Sequence, residues 1–184
     1  MLDHLIEYLK KDEVKWDKFR SFFEKNEVPA RTQILTAGDV SMHLHFVRKG
    51  CLRMWFNKDG KDITFQFFFE GQAVASLDSF LTQQPSLFTL ESIEPTTYIS
   101  ISKKNMDALY KEFPQLKEGF QEILFQRFRN YAQLFLSRIK DSPQERYRDL
   151  LTNHPEIIKR VPQHYIASYL GITPISLSRI RNRK

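Results

Sequence analysis

The last fourteen residues, GITPISLSRIRNRK, hold the densest set of groups in this chain that could do chemistry. With the residues before them they read PQHYIASYLGITPISLSRI, which fits two helices meeting at a tight turn. Such a helix-turn-helix needs a small residue where the second helix packs on the first, and Ala167 supplies it. The turn needs a residue tolerant of positive φ, and Gly171 lies four positions on. Apolar residues follow at each place the inter-helix core requires: Ile166, Leu170, Ile172, Leu177 and Ile180. Thr173-Pro174 then supplies an N-cap and an N1 proline for the second helix.

At about 100° per residue, Leu177 and Ile180 face inward. Ile175, Ser178, Arg179 and Asn182 face outward. In a DNA major groove, Ile175 would pack on a thymine methyl, Arg179 would reach guanine O6/N7, and Asn182 would pair an adenine edge or a phosphate. Thr173 and Ser176 at the helix start would meet phosphates. Arg181, Arg183 and Lys184 would add salt-sensitive, sequence-blind attraction. The same charges also fit a solvated helix face, so the distribution of charge along the chain matters. Residues 1–120 carry 16 Lys+Arg against 17 Asp+Glu, whereas residues 121–184 carry 12 against 5. All the excess positive charge is in the last third, as a nucleic-acid binder requires.

Other chemistries find little support. The only cysteine, Cys51, excludes an intramolecular disulfide and any multi-cysteine metal or iron–sulfur centre, and it suits a reducing cytosol. His43 and His45 share a strand face, but no third His or partnering Glu accompanies them, so no metal or cofactor is expected. No nucleophile–base pair and no phosphate loop occur, which reads against an enzyme. The charged N-terminus is not a signal peptide, and no run reaches the roughly 18 apolar residues of a membrane span. The expectation is a cytoplasmic protein with no membrane partner.

The terminal segment must be held by what precedes it. Helical spacing covers residues 2–10 and 14–23. From 28 to 101 the pattern has period two: RTQILTAG, HLHFVRKGCLRMWF around Lys49-Gly50, then ITFQFFF after an Asp59-Gly60 hairpin signal, and TTYISIS. Short strands with Gly-containing turns point to an all-β roll or barrel. Ser102 caps a helix that closes at Pro114, and a helix of about 27 residues, some 40 Å long, follows. Its apolar stripe is too wide for one face of a roll. Burial against the chain's own C-terminal helices is one solution, and a second copy of the same helix through Phe120, Ile123, Leu124, Tyr131 and Leu134 is the favoured one. Ser142, Pro143 and Glu145 then open a further helix.

A roll with AGD and DGK turns, a Gly-initiated insertion, a long helix and a helix-turn-helix resembles the Crp/Fnr regulators over nearly the whole chain. The resemblance implies an α+β fold in three parts. Residues 1–113 would be a cyclic-nucleotide-binding-like jelly roll with N-terminal helices, 114–140 a long dimerisation helix, and 141–184 a helix-turn-helix domain. It implies a homodimeric transcription regulator of double-stranded DNA, with Arg179 in the guanine-reading position and Thr173 and Ser176 in phosphate-contacting ones. The expected DNA-facing set is Thr173, Ile175, Ser176, Ser178, Arg179, Asn182 and Arg183. Nucleotide-binding members carry Gly-Glu in the insertion and an Arg-Ser pair about ten residues on. This chain has Gly71 followed by Gln72, and no Arg or Lys from Phe65 to Ser102. An unpaired buried phosphate is costly, so cyclic AMP and cyclic GMP are not expected ligands. Gly71, Gln72, Ser76 and Ser86 would instead line a pocket for an unknown, neutral or weakly anionic effector, or the pocket is filled by Phe. The sequence ends about one turn past Ile180, so the family's wing strands are not expected and DNA contact would rest on one helix per subunit plus the tail. The alternative is a ligand-binding or protein-interaction module of the same fold that does not read DNA.

Overall fold

The computed structural model describes residues 2–182. Two helices open the chain, α1 (Leu2–Lys10) and α2 (Glu13–Phe19), the second running into a single 3-10 turn over 20–22. Eight strands follow: β1 (Glu24–Val28), β2 (Gln33–Leu35), β3 (His43–Lys49), β4 (Leu52–Lys58), β5 (Lys61–Phe68), β6 (Ala73–Val74), β7 (Thr89–Ser92) and β8 (Thr96–Ser102). They form two four-stranded sheets, ordered β1-β8-β3-β6 and β2-β7-β4-β5. A short helix, α3 (Leu77–Thr82), interrupts the strands between β6 and β7. The insertion after Phe68 thus contains two strands and a helix, where period-two reading found none.

The rest is helical: α4 (Lys103–Glu112), α5 (Leu116–Lys140), α6 (Pro143–Asn153), α7 (Pro155–Arg160), α8 (Gln163–Tyr169) and α9 (Pro174–Asn182). The expected caps are present. Ser102 Oγ accepts from Asn105 N–H at 3.1 Å. At α6, Ser142 and Glu145 each accept from the other's backbone N–H, at 3.3 and 2.7 Å, a complete capping box.

The chain divides into two compact units, and the division does not follow the linear order. One holds residues 1–53 and 68–121, the other 54–67 and 122–184. In the first, Leu44, Val47, Leu52, Phe68, Phe80 and Leu90 form a core with almost no exposure. The rings of Phe19 and Phe113 meet edge-on at 5.5 Å beside it. The β3–β4 connection turns at Gly50, whose φ is +98°. Its backbone N–H donates to Glu70 Oε1 at 2.8 Å. A Cβ there would lie 2.5 Å from Thr96 Oγ1 and 2.7 Å from the Pro95 carbonyl, so only glycine fits.

In the second unit the β4–β5 hairpin, turning at Asp59-Gly60, accompanies α5 to α9. Phe65 packs on Tyr131 and Phe67 on Tyr169, with ring centroids 5.1 and 5.4 Å apart. Ala167, Leu177, Leu150, Ile166 and Leu170 are its buried centre.

Candidate nucleic-acid interface and effector pocket

The turn between α8 and α9 is built by local chemistry. Ile172 N–H donates to the Ala167 carbonyl and Gly171 N–H to the Ser168 carbonyl, both at 3.0 Å. With Gly171 at φ +68°, this is the six-to-one, five-to-two pattern that ends a helix in a left-handed glycine. Two carbonyls at the end of α8 remain. Arg138 from α5 donates to the Tyr169 carbonyl at 2.9 Å, and Arg146 from α6 to the Leu170 carbonyl at 3.0 Å. Arg146 also donates to the Asp141 carbonyl at 2.6 Å. Sequence reading missed both arginines, because nothing in their spacing marks a side chain that reaches a carbonyl 24 or 31 residues away.

Thr173 caps α9: its Oγ1 accepts from Ser176 N–H at 3.1 Å and lies 2.9 Å from Ser176 Oγ. Both hydroxyls are therefore first of all cap groups, Thr173 exposed and Ser176 half-buried. Leu177 is anchored in the unit core at 1% exposure, while Ile175 is 67% exposed. Ser178, Arg179 and Asn182 are exposed on the same helix, and Arg183 lies outside the described residues. An exposed isoleucine flanked by an arginine, a serine and an asparagine offers one apolar contact and several hydrogen-bond donors to a groove.

The long helix carries two apolar stripes. Of the residues expected at a dimer interface, the structure turns Phe120 into its own unit, at 7% exposure and 6.2 Å from the Tyr110 ring. Tyr131 packs on Phe65 and, with Leu134, lines a cleft of about 570 Å³ on the inner side of α5. Ile123 and Leu124 are half-buried. The outward stripe is a different set, Phe125, Phe128, Ala132, Phe135 and Ile139, spaced 3-4-3-4 as a heptad requires. Its four large side chains are 65–71% exposed. Counting heptads along the helix would have found it.

In the roll, the expected effector residues are largely committed to each other. Ser76 and Ser86, each 4% exposed, place their hydroxyls 2.8 Å apart. Ser86 Oγ also accepts from Phe88 N–H at 3.0 Å. Ser79 donates to the Gln84 carbonyl and accepts from Ser41 N–H at 2.9 Å. Gly71 turns at φ +80°, and Gln72 Oε1 accepts from Phe69 N–H at 3.1 Å, closing its own turn. The buried cation of this unit is Arg53, whose guanidinium donates to the Glu91 carboxylate at 2.9 Å. Sequence reading did not single it out.

His43 and His45 stack at 6.0 Å. His45 Nδ1 lies 2.8 Å from Ser100 Oγ. Burial first, and the neighbouring His43 second, push the His45 imidazole down to about 3. Among the described residues no group of three or more His, Cys, Asp or Glu is placed to hold a metal. Nor is any described helix long and apolar enough to cross a membrane.

Residues 25–113 match the family model of the cyclic nucleotide-binding domain. No curated protein matches the chain. Solved structures do. FixK2 from Bradyrhizobium japonicum aligns with a TM-score of 0.75 at 15% identity, over 88% of this chain and 83% of that one. The c-di-GMP responsive global regulator CLP from Xanthomonas campestris gives 0.73 at 17%, over 92% and 89%. A putative Crp/Fnr-family transcriptional regulator from Eubacterium rectale gives 0.72 at 18%, over 92% and 81%. At these identities the likeness is one of fold.

Proposed function

From the premise of a Crp/Fnr-like protein built on a cyclic nucleotide-binding domain, we propose that this chain is a sequence-reading, DNA-binding transcription regulator that works as a homodimer and answers to an effector other than cyclic AMP. The observation that carries the reading is α9: anchored by Leu177, capped by Thr173, and presenting Ile175, Ser178, Arg179 and Asn182 to solvent. The heptad stripe of α5 supplies the second copy's docking face. A twofold pair of α9 helices about 34 Å apart would then meet one turn of duplex DNA.

The effector part rests on charge. No Lys or Arg occurs from Phe65 to Ser102. Arg53 is paired with Glu91, and Gln72 is used in its own turn. A cyclic phosphate would enter without a cationic partner, at a cost its neutral contacts do not offset. Of the four expected residues, Ser76 and Ser86 are the pair that a neutral ligand would engage, by exchanging their mutual hydroxyl bond for its own.

The test is selection of bound DNA from a random pool, with wild type and Arg179→Ala in parallel. A palindromic motif enriched by wild type and relaxed or lost in the variant is expected. A dimer that enriches nothing even at low salt would sink the reading and leave a ligand-binding or protein-interaction module.

A further inference from the structure

On β5 in the C-terminal unit, one side chain bonds two backbone groups of the strand. Ser168 Oγ donates to the Asp62 carbonyl at 2.7 Å and accepts from Thr64 N–H at 2.8 Å. A carbonyl and an N–H two residues apart on one side of a strand are the pair that a neighbouring strand would engage. The Ser168 hydroxyl, donor and acceptor at once, takes that strand's place. Among the described residues β5 is the terminal strand of its sheet.

We infer that Ser168 is a positioning residue of the DNA reader: by fixing α8 at one register on the hairpin, it sets the angle at which α9 is presented. The inference rests on the DNA-reading proposal above. Three features support it. First, ring contacts such as Phe67 on Tyr169 are non-directional and tolerate sliding, whereas two hydrogen bonds to named backbone atoms do not. Equivalent carbonyl and N–H pairs recur along an edge only every second residue, about 7 Å, so the hydroxyl selects one position and excludes the next. Second, the next two residues are held as well: Arg138 and Arg146 take the Tyr169 and Leu170 carbonyls, so Ser168 belongs to a clamp on the C-terminal end of α8. Three consecutive residues, 168–170, are thus tied where α8 runs into the turn. Third, α9 follows after a turn of only four residues, 170–173, closed by the Gly171 and Ile172 hydrogen bonds. Any tilt of α8 is passed to α9 with little loss. In a dimer that reads two half-sites, such a tilt changes the separation between the two readers.

The experiment uses the full chain as wild type, Ser168→Ala and Ser168→Thr, which keeps the hydroxyl. Leu109→Val in α4 is the control for general destabilisation. Amide hydrogen exchange at Thr64 reports the clasp itself, without DNA. Selection from a pool in which the spacer between half-sites varies reports the positioning. In Ser168→Ala, Thr64 exchange is expected to rise roughly tenfold or more. The narrow spacer preference of wild type should broaden to neighbouring lengths. Ser168→Thr and Leu109→Val should both keep the wild-type preference. Unchanged Thr64 exchange in Ser168→Ala would overturn the clasp. Faster exchange with an unchanged spacer preference would overturn the positioning role. If wild type enriches no DNA, the DNA-reading proposal fails and the positioning role fails with it, while the exchange data still decide the clasp.

Discussion

Replacing Phe128 by alanine tests the second copy most directly. The side chain sits mid-stripe on α5 and is 71% exposed. A phenylalanine offers about 200 Å² of burial, so about 140 Å² remains for a partner. If the partner covers half of that, the loss at ~25 cal/mol/Å² is about 1.8 kcal/mol per protomer and about 3.5 kcal/mol for a dimer with two copies, a roughly 400-fold weaker Kd. Sedimentation velocity across a concentration series reads this shift. Phe120→Ala is the contrasting variant, since that ring is buried in its own unit. It should lower the unfolding midpoint and leave association unchanged at temperatures where the protein is folded. Wild type that sediments as a monomer at about 100 µM, or a Phe128→Ala Kd within threefold of wild type, would refute the stripe as a dimer face.

Three further outcomes follow from the geometry. Gly50→Ala places Cβ 2.5 Å from Thr96 Oγ1 and 2.8 Å from Thr96 Cα at φ +98°. It should cost more than about 3 kcal/mol in urea unfolding, and a cost below about 1 kcal/mol would mean the turn is not so constrained. Arg146→Met removes the donor from the Asp141 and Leu170 carbonyls and should cost about 2 kcal/mol, with an unchanged urea midpoint counting against the helix-end clamp. His45 is held neutral, with its folded value near 3 below the ordinary 6.5. The unfolded chain therefore binds the extra proton, and stability is complete above pH 6.5 and falls as pH drops toward 3. From pH 7 to pH 5, wild type should lose about 2 kcal/mol more than His45→Gln, and parallel stability curves for the two would discount the burial.

What the sequence made legible is what local chemistry dictates. Thr173-Pro174, Gly171 and the Ser142–Glu145 box act within a few residues of themselves, so their caps and turns could be read directly. The same holds for Asp59-Gly60, whose φ values of 53° and 78° are those a tight hairpin needs. β1 could not be read: EKNEV is charged and mostly exposed, and it is a strand only because β8 lies beside it from Glu24–Ser100 to Val28–Thr96. β7 was hidden for the opposite reason, since all four of its residues are buried and TLES shows no alternation. On α5, apolar width did not say which stripe turns into the chain's own unit, because both stripes have helical period. In the roll, no sequence rule joins Ser76 to Ser86 or Arg53 to Glu91; those pairs exist through the fold alone.

Because residues 54–67 belong with residues 122–184, the C-terminal unit is discontinuous along the chain. A fragment beginning at residue 122 would lack the hairpin, and α8 would lose the backbone that Ser168 grips. During synthesis the order is reversed. The hairpin emerges first and waits for α8, about 100 residues behind, for roughly 5–20 s at ordinary elongation rates. Throughout that interval the β5 edge is open to other strands, a known route to misassembly. Ser168, which bonds the Asp62 carbonyl and the Thr64 N–H, covers this stretch of the edge once α8 arrives, so its loss should lower the yield of folded protein whatever the protein binds.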